Sequence, residues 1–152
     1  MSAGYAVIDG KAAYDGRTLA EWLPDILDEL VAAADPQRIV LFGSVARADD
    51  GPDSDIDMMV VLSHLDYARR RELTSHLRSS LSSPAPIQLF LTDDRECRRR
   101  RDVVGSMHYN PLREGRLVHE RARRVADQLP PPDAPVLEPG RRPMLLSVLR
   151  GR

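Results

Sequence analysis

Asp55 and Asp57 stand at the head of an apolar run, DIDMMVVL (55–62), that has the length and composition of a buried strand. Carboxylates at the edge of a core are costly unless something compensates them, and the obvious compensator is a metal ion. A second strand-length run, RIVLF (38–42), lies just upstream. Between the two runs, GSVARADDGPDS (43–54) has the Gly, Asp and Pro of a turn, with room for one helical turn. Residues i and i+2 of a strand share a face, so Asp55 and Asp57 converge on one side while Ile56 and Met58 face the other.

The spacing specifies chemistry. Gly43-Ser44 is followed by ten residues and then by Asp55-x-Asp57. Two carboxylates on one strand face suit Mg²⁺ or Mn²⁺; Mg²⁺ takes one or two protein carboxylates and completes its octahedron with water and substrate phosphate. Gly43 permits a tight turn after the first strand. Ser44 offers a backbone N–H and a hydroxyl at the start of a helical turn, where phosphate oxygens are readily bound. Arg47 is either a phosphate contact or a solvated arginine of that turn. These residues outline a site for a metal-nucleotide complex, with Asp55 and Asp57 as metal-binding and catalytic groups and Gly43, Ser44 and Arg47 on the nucleotide.

The remaining periodicity supplies helices and one more strand. From Leu19 the apolar positions Trp22, Leu23, Ile26, Leu27, Leu30 and Val31 follow helical spacing with one buried face. Thr18 can cap this helix, or Pro24 can open its first turn, and ADPQ ends it. DYARRRELTSHLRSSLSS (66–83) predicts a surface helix, with Leu73, Leu77 and Leu81 four residues apart. IQLFL (87–91) predicts a third strand, and TDDRECRRRRDVVGSMHY (92–109) a helix capped by Thr92 or Asp93. NPLREG (110–115) then turns the chain into a short strand, RLVHE (116–120). Residues 1–17 show no sustained periodicity and are expected to form a flexible N-terminal arm ahead of a folded domain over 18–128. The Pro-rich composition of 129–152 predicts an extended tail, in which MLLSVL (144–149) could anchor on this domain or on a partner.

Composition excludes more than it assigns. Lys and Arg total 22 against 23 Asp and Glu, a net charge of −1 that gives no global reason for binding nucleic acid or membrane. Arg98–Arg101 are four consecutive positive charges, but on a helix they point all round the axis and suit a solvated face better than one groove. Aromatic content of 5% leaves little for base stacking, so a nucleic-acid partner has weak support. No apolar run approaches the roughly 18 residues that span a bilayer. Cys97 is the single cysteine and the N-terminus lacks a secretory pattern, so a cytoplasmic location and an inert thiol are expected. His64, His76, His108 and His119 have no metal-ligand spacing.

The stretch LFGSVARADDGPDSDIDMMVVL (41–62) resembles the minimal nucleotidyltransferases of the DNA polymerase β-like superfamily, whose signature is Gly-Ser, a spacer and Asp-x-Asp. The ten-residue spacer is similar to that of the MNT proteins that pair with HEPN partners in toxin-antitoxin modules, and GSMHYNPLREGRLVHE (105–120) resembles that family's closing segment. The resemblance implies an α/β (α+β) fold, a small mixed β-sheet flanked by helices. It also implies metal-assisted transfer of AMP from ATP to a hydroxyl of a HEPN-like partner, the chain acting as antitoxin. In one respect the sequence departs from the pattern. The family's third carboxylate belongs at the second position of PIQLFL's strand, and Gln88 stands there, a side chain with no charge and no capacity as a base. Two other readings therefore stay open: an impaired module that neutralises its partner by contact, and a transferase acting on RNA ends or a small molecule.

Overall fold

The computed structural model describes residues 4–122, which form two sheets and five α-helices among the described residues. The expected C-terminal tail, its MLLSVL segment and the domain limit at 128 lie outside the described residues.

The first sheet replaces the expected N-terminal arm. Strands β1 (Tyr5–Ile8), β2 (Lys11–Tyr14) and β3 (Arg17–Thr18) pair antiparallel in sequence order. Both connections are two-residue Asp-Gly loops, Asp9-Gly10 and Asp15-Gly16, with positive φ at all four residues, as tight hairpins of matching twist require. The core residues here are Ala12 and Ala13, both fully buried, so the strand shows no large apolar side chain to reveal it in the sequence. This sheet grips the loop ahead of the two aspartates. The Ala12 amide donates to the Gly51 carbonyl (3.2 Å), the Tyr5 hydroxyl donates to the Pro52 carbonyl (3.1 Å), and Lys11 pairs with the buried Asp50 (3.3 Å).

Helix α1 (Leu19–Ala34) starts where Thr18 caps it. The Thr18 hydroxyl accepts from the Glu21 amide while the Glu21 carboxylate accepts from the Thr18 amide, a reciprocal box that satisfies two end donors. Pro24 lies inside the helix rather than opening it.

The second sheet has the order β6-β5-β4-β7, built from β4 (Arg38–Phe42), β5 (Ile56–Leu62), β6 (Ile87–Asp93) and β7 (Arg116–Glu120). β5 and β6 run parallel and the other pairs antiparallel, so the sheet is mixed as expected. Parity divides it into two faces. Ile39, Leu41, Ile56, Met58, Val60 and Leu91 pack with Leu19, Ile26 and Leu30 of α1, and with Leu77 of α3 (Arg70–Ser79). Val40, Met59, Val61 and Phe90 pack on the other face with Cys97 and Leu112. Burial on both faces explains why β5 is a continuous apolar run after its aspartates.

One expected helix is shorter than its sequence suggests, and one expected turn is a helix. α2 (Gly43–Arg47) is the expected single turn, and α4 (Asp94–Arg100) is capped by Asp93, whose carboxylate accepts from the Glu96 amide (2.9 Å). The helix expected over 92–109 stops there, because Val103–Gly105 present no buried face and Gly105 takes φ 83°. The expected NPLREG turn is instead α5 (Tyr109–Glu114). Pro111 sits in its first turn, where no intrahelical donor is lost, and Gly115 closes it against Val40.

Candidate active site

The site forms where β4, β5 and β6 end together. In register, Phe42 lies opposite Asp57 and Asp57 lies beside Gln88, so one row of the sheet's second face contains all three. Asp55 is two residues earlier on the same parity, and the Gln88 amide nitrogen donates to its Oδ2 (3.1 Å). Gln88 therefore occupies the place in the row expected of a third carboxylate and contributes a neutral amide. Neither neighbouring acid replaces it. Asp93 is spent on capping α4 and on the Leu65 amide, and Asp94 pairs with Arg38 (2.6 Å) and Arg98 (3.1 Å).

Gly43 makes the row accessible. Its φ of 73° is left-handed, and a Cβ built there would collide with Asp57 Oδ2. The strand-to-helix turn thus brings backbone directly against a carboxylate, an approach that only glycine permits. A Gly43→Ala substitution combines a backbone penalty of about 1–2 kcal/mol with displacement of Asp57. It is expected to lower the melting temperature and to weaken nucleotide binding, read by thermal melts with and without Mg·ATP.

Gly43, Arg47, Asp57 and Gln88 line a single cavity of about 380 Å³, within the range of small-ligand sites. Asp55 reaches it through Gln88. Ser44 is not among the lining residues: its hydroxyl donates to Ser54 (3.0 Å), which also accepts from the Gly51 amide (2.8 Å), and this tie fixes the loop that delivers Asp55. Arg47 bonds Asp49 (3.2 Å) beside the cavity. The far wall comes from the 101–115 segment, including Ser106, Asn110 and Glu114, none of which the sequence reading selected. The only pointer to Glu114 was its place before Gly115 in the quoted closing segment.

Charge in the site is poorly compensated by protein. Burial pushes the Asp57 carboxyl above the usual range, the neighbouring Asp55 pushes the same way, and Arg47 only partly opposes them. The donor set fits one divalent cation held by Asp55 and Asp57, hard oxygen ligands for a hard ion. A second carboxylate-bound metal does not fit as well, because no group of three acidic, histidine or cysteine ligands occurs among the described residues. Elsewhere, Arg98, Arg99 and Arg100 pair with Asp94 and Glu96, consistent with the expected solvated face. Burial pushes the Cys97 thiol up against the opposing pull of Arg38, consistent with an inert thiol. No described helix is long and apolar enough to cross a membrane.

No curated protein matches the sequence. A crystal structure of a Sulfolobus solfataricus protein proposed to be a nucleotidyltransferase superposes with a TM-score of 0.49 at 17% identity, covering 68% of this chain and 81% of its own. The profile of the family described as "Polymerase beta, Nucleotidyltransferase" matches residues 25–124, which include both aspartates, the Gly43 turn and the far wall of the cavity. With well over half its length in that match, the chain belongs to the polymerase β-type nucleotidyltransferase family.

Proposed function

We propose that this chain is an MNT-type transferase that moves AMP from ATP to a hydroxyl of a HEPN-like partner protein, so acting as that partner's antitoxin. The observation that carries the reading is the meeting of Gly43 and Asp57 in one cavity, with Asp55 two residues away on the same face. The ten-residue spacer supports the MNT assignment.

Asp55 and Asp57 would hold Mg²⁺ (or Mn²⁺), which when bound supplies charge neutralisation for a triphosphate. Arg47, which lines the same cavity, would supply a cation for phosphate oxygens. The acceptor oxygen bonds to the α-phosphorus of ATP while the bond from that phosphorus to the bridging oxygen breaks. The bridging oxygen keeps the electron pair and leaves as pyrophosphate. Gln88 cannot take the hydroxyl proton, which passes to water or to Glu114, the other carboxylate lining the cavity. The hydrogen bond from Gln88 to Asp55 favours a second reading, a slow or inactive site in a module that neutralises its partner by contact. Incubation with the partner and ATP labelled on the α-phosphate separates the two. Transfer supports the first, and neutralisation without transfer, retained by Asp55→Ala/Asp57→Ala, supports the second.

A further inference from the structure

Along β6, Gln88, Phe90 and Thr92 share the face that bears the site. Beyond Phe90 a second cavity of about 390 Å³ opens, walled by Tyr67, Arg70, Arg100 and His108. It shares Phe90 and Met107 with the carboxylate cavity, so the two adjoin. Thr92 lies four residues from Gln88, about 13 Å along the strand, too far for this end to touch the metal or the reacting phosphorus.

The walls are held in place by hydrogen bonds and a ring contact. Fully buried Thr92 is hydrogen bonded through Oγ1 to His108 Nε2 (2.7 Å) and to the Tyr67 hydroxyl (3.4 Å). The His108 ring stands edge-on to Phe90 with centroids 5.0 Å apart. Burial pushes His108 below the usual histidine range, with Glu96 and Asp93 opposing it and Arg100 and Arg70 adding to it. The cavity thus has aromatic and thioether walls around a fixed imidazole.

Its wall carries Arg70, Arg100 and Glu96, and Asp93 also acts on Tyr67 and His108. Glu96, the acid on the wall, bonds Arg99 (3.0 Å) and Arg100 (3.2 Å). The nearest acid on α3, Glu72, is taken by Arg69 (3.2 Å). Arg70 makes no ion pair with any described residue, so two wall arginines face one carboxylate. A planar ring would rest against Phe90 and Met107, and a neighbouring anionic group would meet Arg70.

We infer that this second cavity is the acceptor subsite: it holds an aromatic ring and a neighbouring anionic group of the partner protein and presents the acceptor's hydroxyl across Phe90 to the carboxylate cavity. This rests on the transferase reading above, but binding tests it without turnover. Phenyl phosphate is titrated into the full chain saturated with Mg²⁺ and α,β-methylene-ATP, following the Tyr67 and His108 ring resonances by NMR. Both are expected to shift, and inorganic phosphate or benzyl alcohol alone should bind at least tenfold more weakly. Arg70→Gln should weaken phenyl phosphate about tenfold or more, as loss of a charged hydrogen bond does, while Arg71→Gln should not. Displacement of phenyl phosphate by the nucleotide, equal binding by Arg70→Gln, or phosphate binding as tightly as phenyl phosphate would each overturn the subsite. Nucleotide affinity in the same samples reports on the carboxylate cavity separately.

Discussion

Asp57→Asn is expected to melt at a higher temperature than the wild type in the absence of metal, and to lose transfer activity by at least about a hundredfold. The second part follows because even indirect partners of a metal cost about ten- to a hundredfold when removed, and Asp57 is placed as a direct one. The first part follows from the electrostatics. Burial and Asp55 raise the Asp57 carboxyl above its unfolded value, so between those two values the folded protein binds more protons than the unfolded chain. Stability contributed by this residue therefore falls as pH rises through that window, and above it the ionised group opposes folding. Asparagine removes that charge. Melts across pH should show the variant's advantage at neutral pH shrinking towards acid, where Asp57 is protonated in both states. Adding Mg²⁺ should raise the wild-type melting temperature and leave the variant's unchanged.

Gln88→Asp is expected to raise the transfer rate by about ten- to a hundredfold, by adding the carboxylate that the row of strand ends lacks. In register Gln88 is directly beside Asp57, and its amide already touches Asp55. An aspartate there would face both carboxylates, completing an acidic ligand group and adding a base for the acceptor hydroxyl. The same variant should be less stable than the wild type without metal, because three like charges would share one strand end. Metal should restore more stability to this variant than to the wild type. Single-turnover transfer and paired melts with and without Mg²⁺ measure both effects. An unchanged rate would mean that chemistry is not limited by the missing carboxylate.

Much of this site was legible because it obeys strand parity. Counting by twos placed Asp55 and Asp57 on one face and Ile56 and Met58 on the other: Ile56 and Met58 are in the core, Asp57 lines the cavity and Asp55 bonds Gln88 at its edge. Gln88 was singled out by the family resemblance rather than by parity, and the register then sets it beside Asp57. Helix α1 was legible from its apolar stripe and from Thr18, whose partner Glu21 completes the cap. Other parts were hidden for physical reasons. Strand β2 buries alanines, which carry no periodic signal, although the paired Asp-Gly turns around it were present in the sequence. The arginine run obscured where α4 ends, since those side chains give no apolar face whose loss could be seen. The far wall of the cavity is tertiary: Ser106 and Glu114 reach it because the chain folds back through α5, and no local spacing encodes that.

The Gly43 turn and the two aspartates are read here as one metal-dependent nucleotide site. Calorimetric titration of ATP into the full chain tests it most directly, with Mg²⁺ and with chelator, for the wild type and for Asp55→Ala/Asp57→Ala. Saturable binding is expected for the wild type only when Mg²⁺ is present, and none for the double variant. Equal binding with chelator, or retained Mg²⁺-dependent binding by the double variant, would contradict that reading.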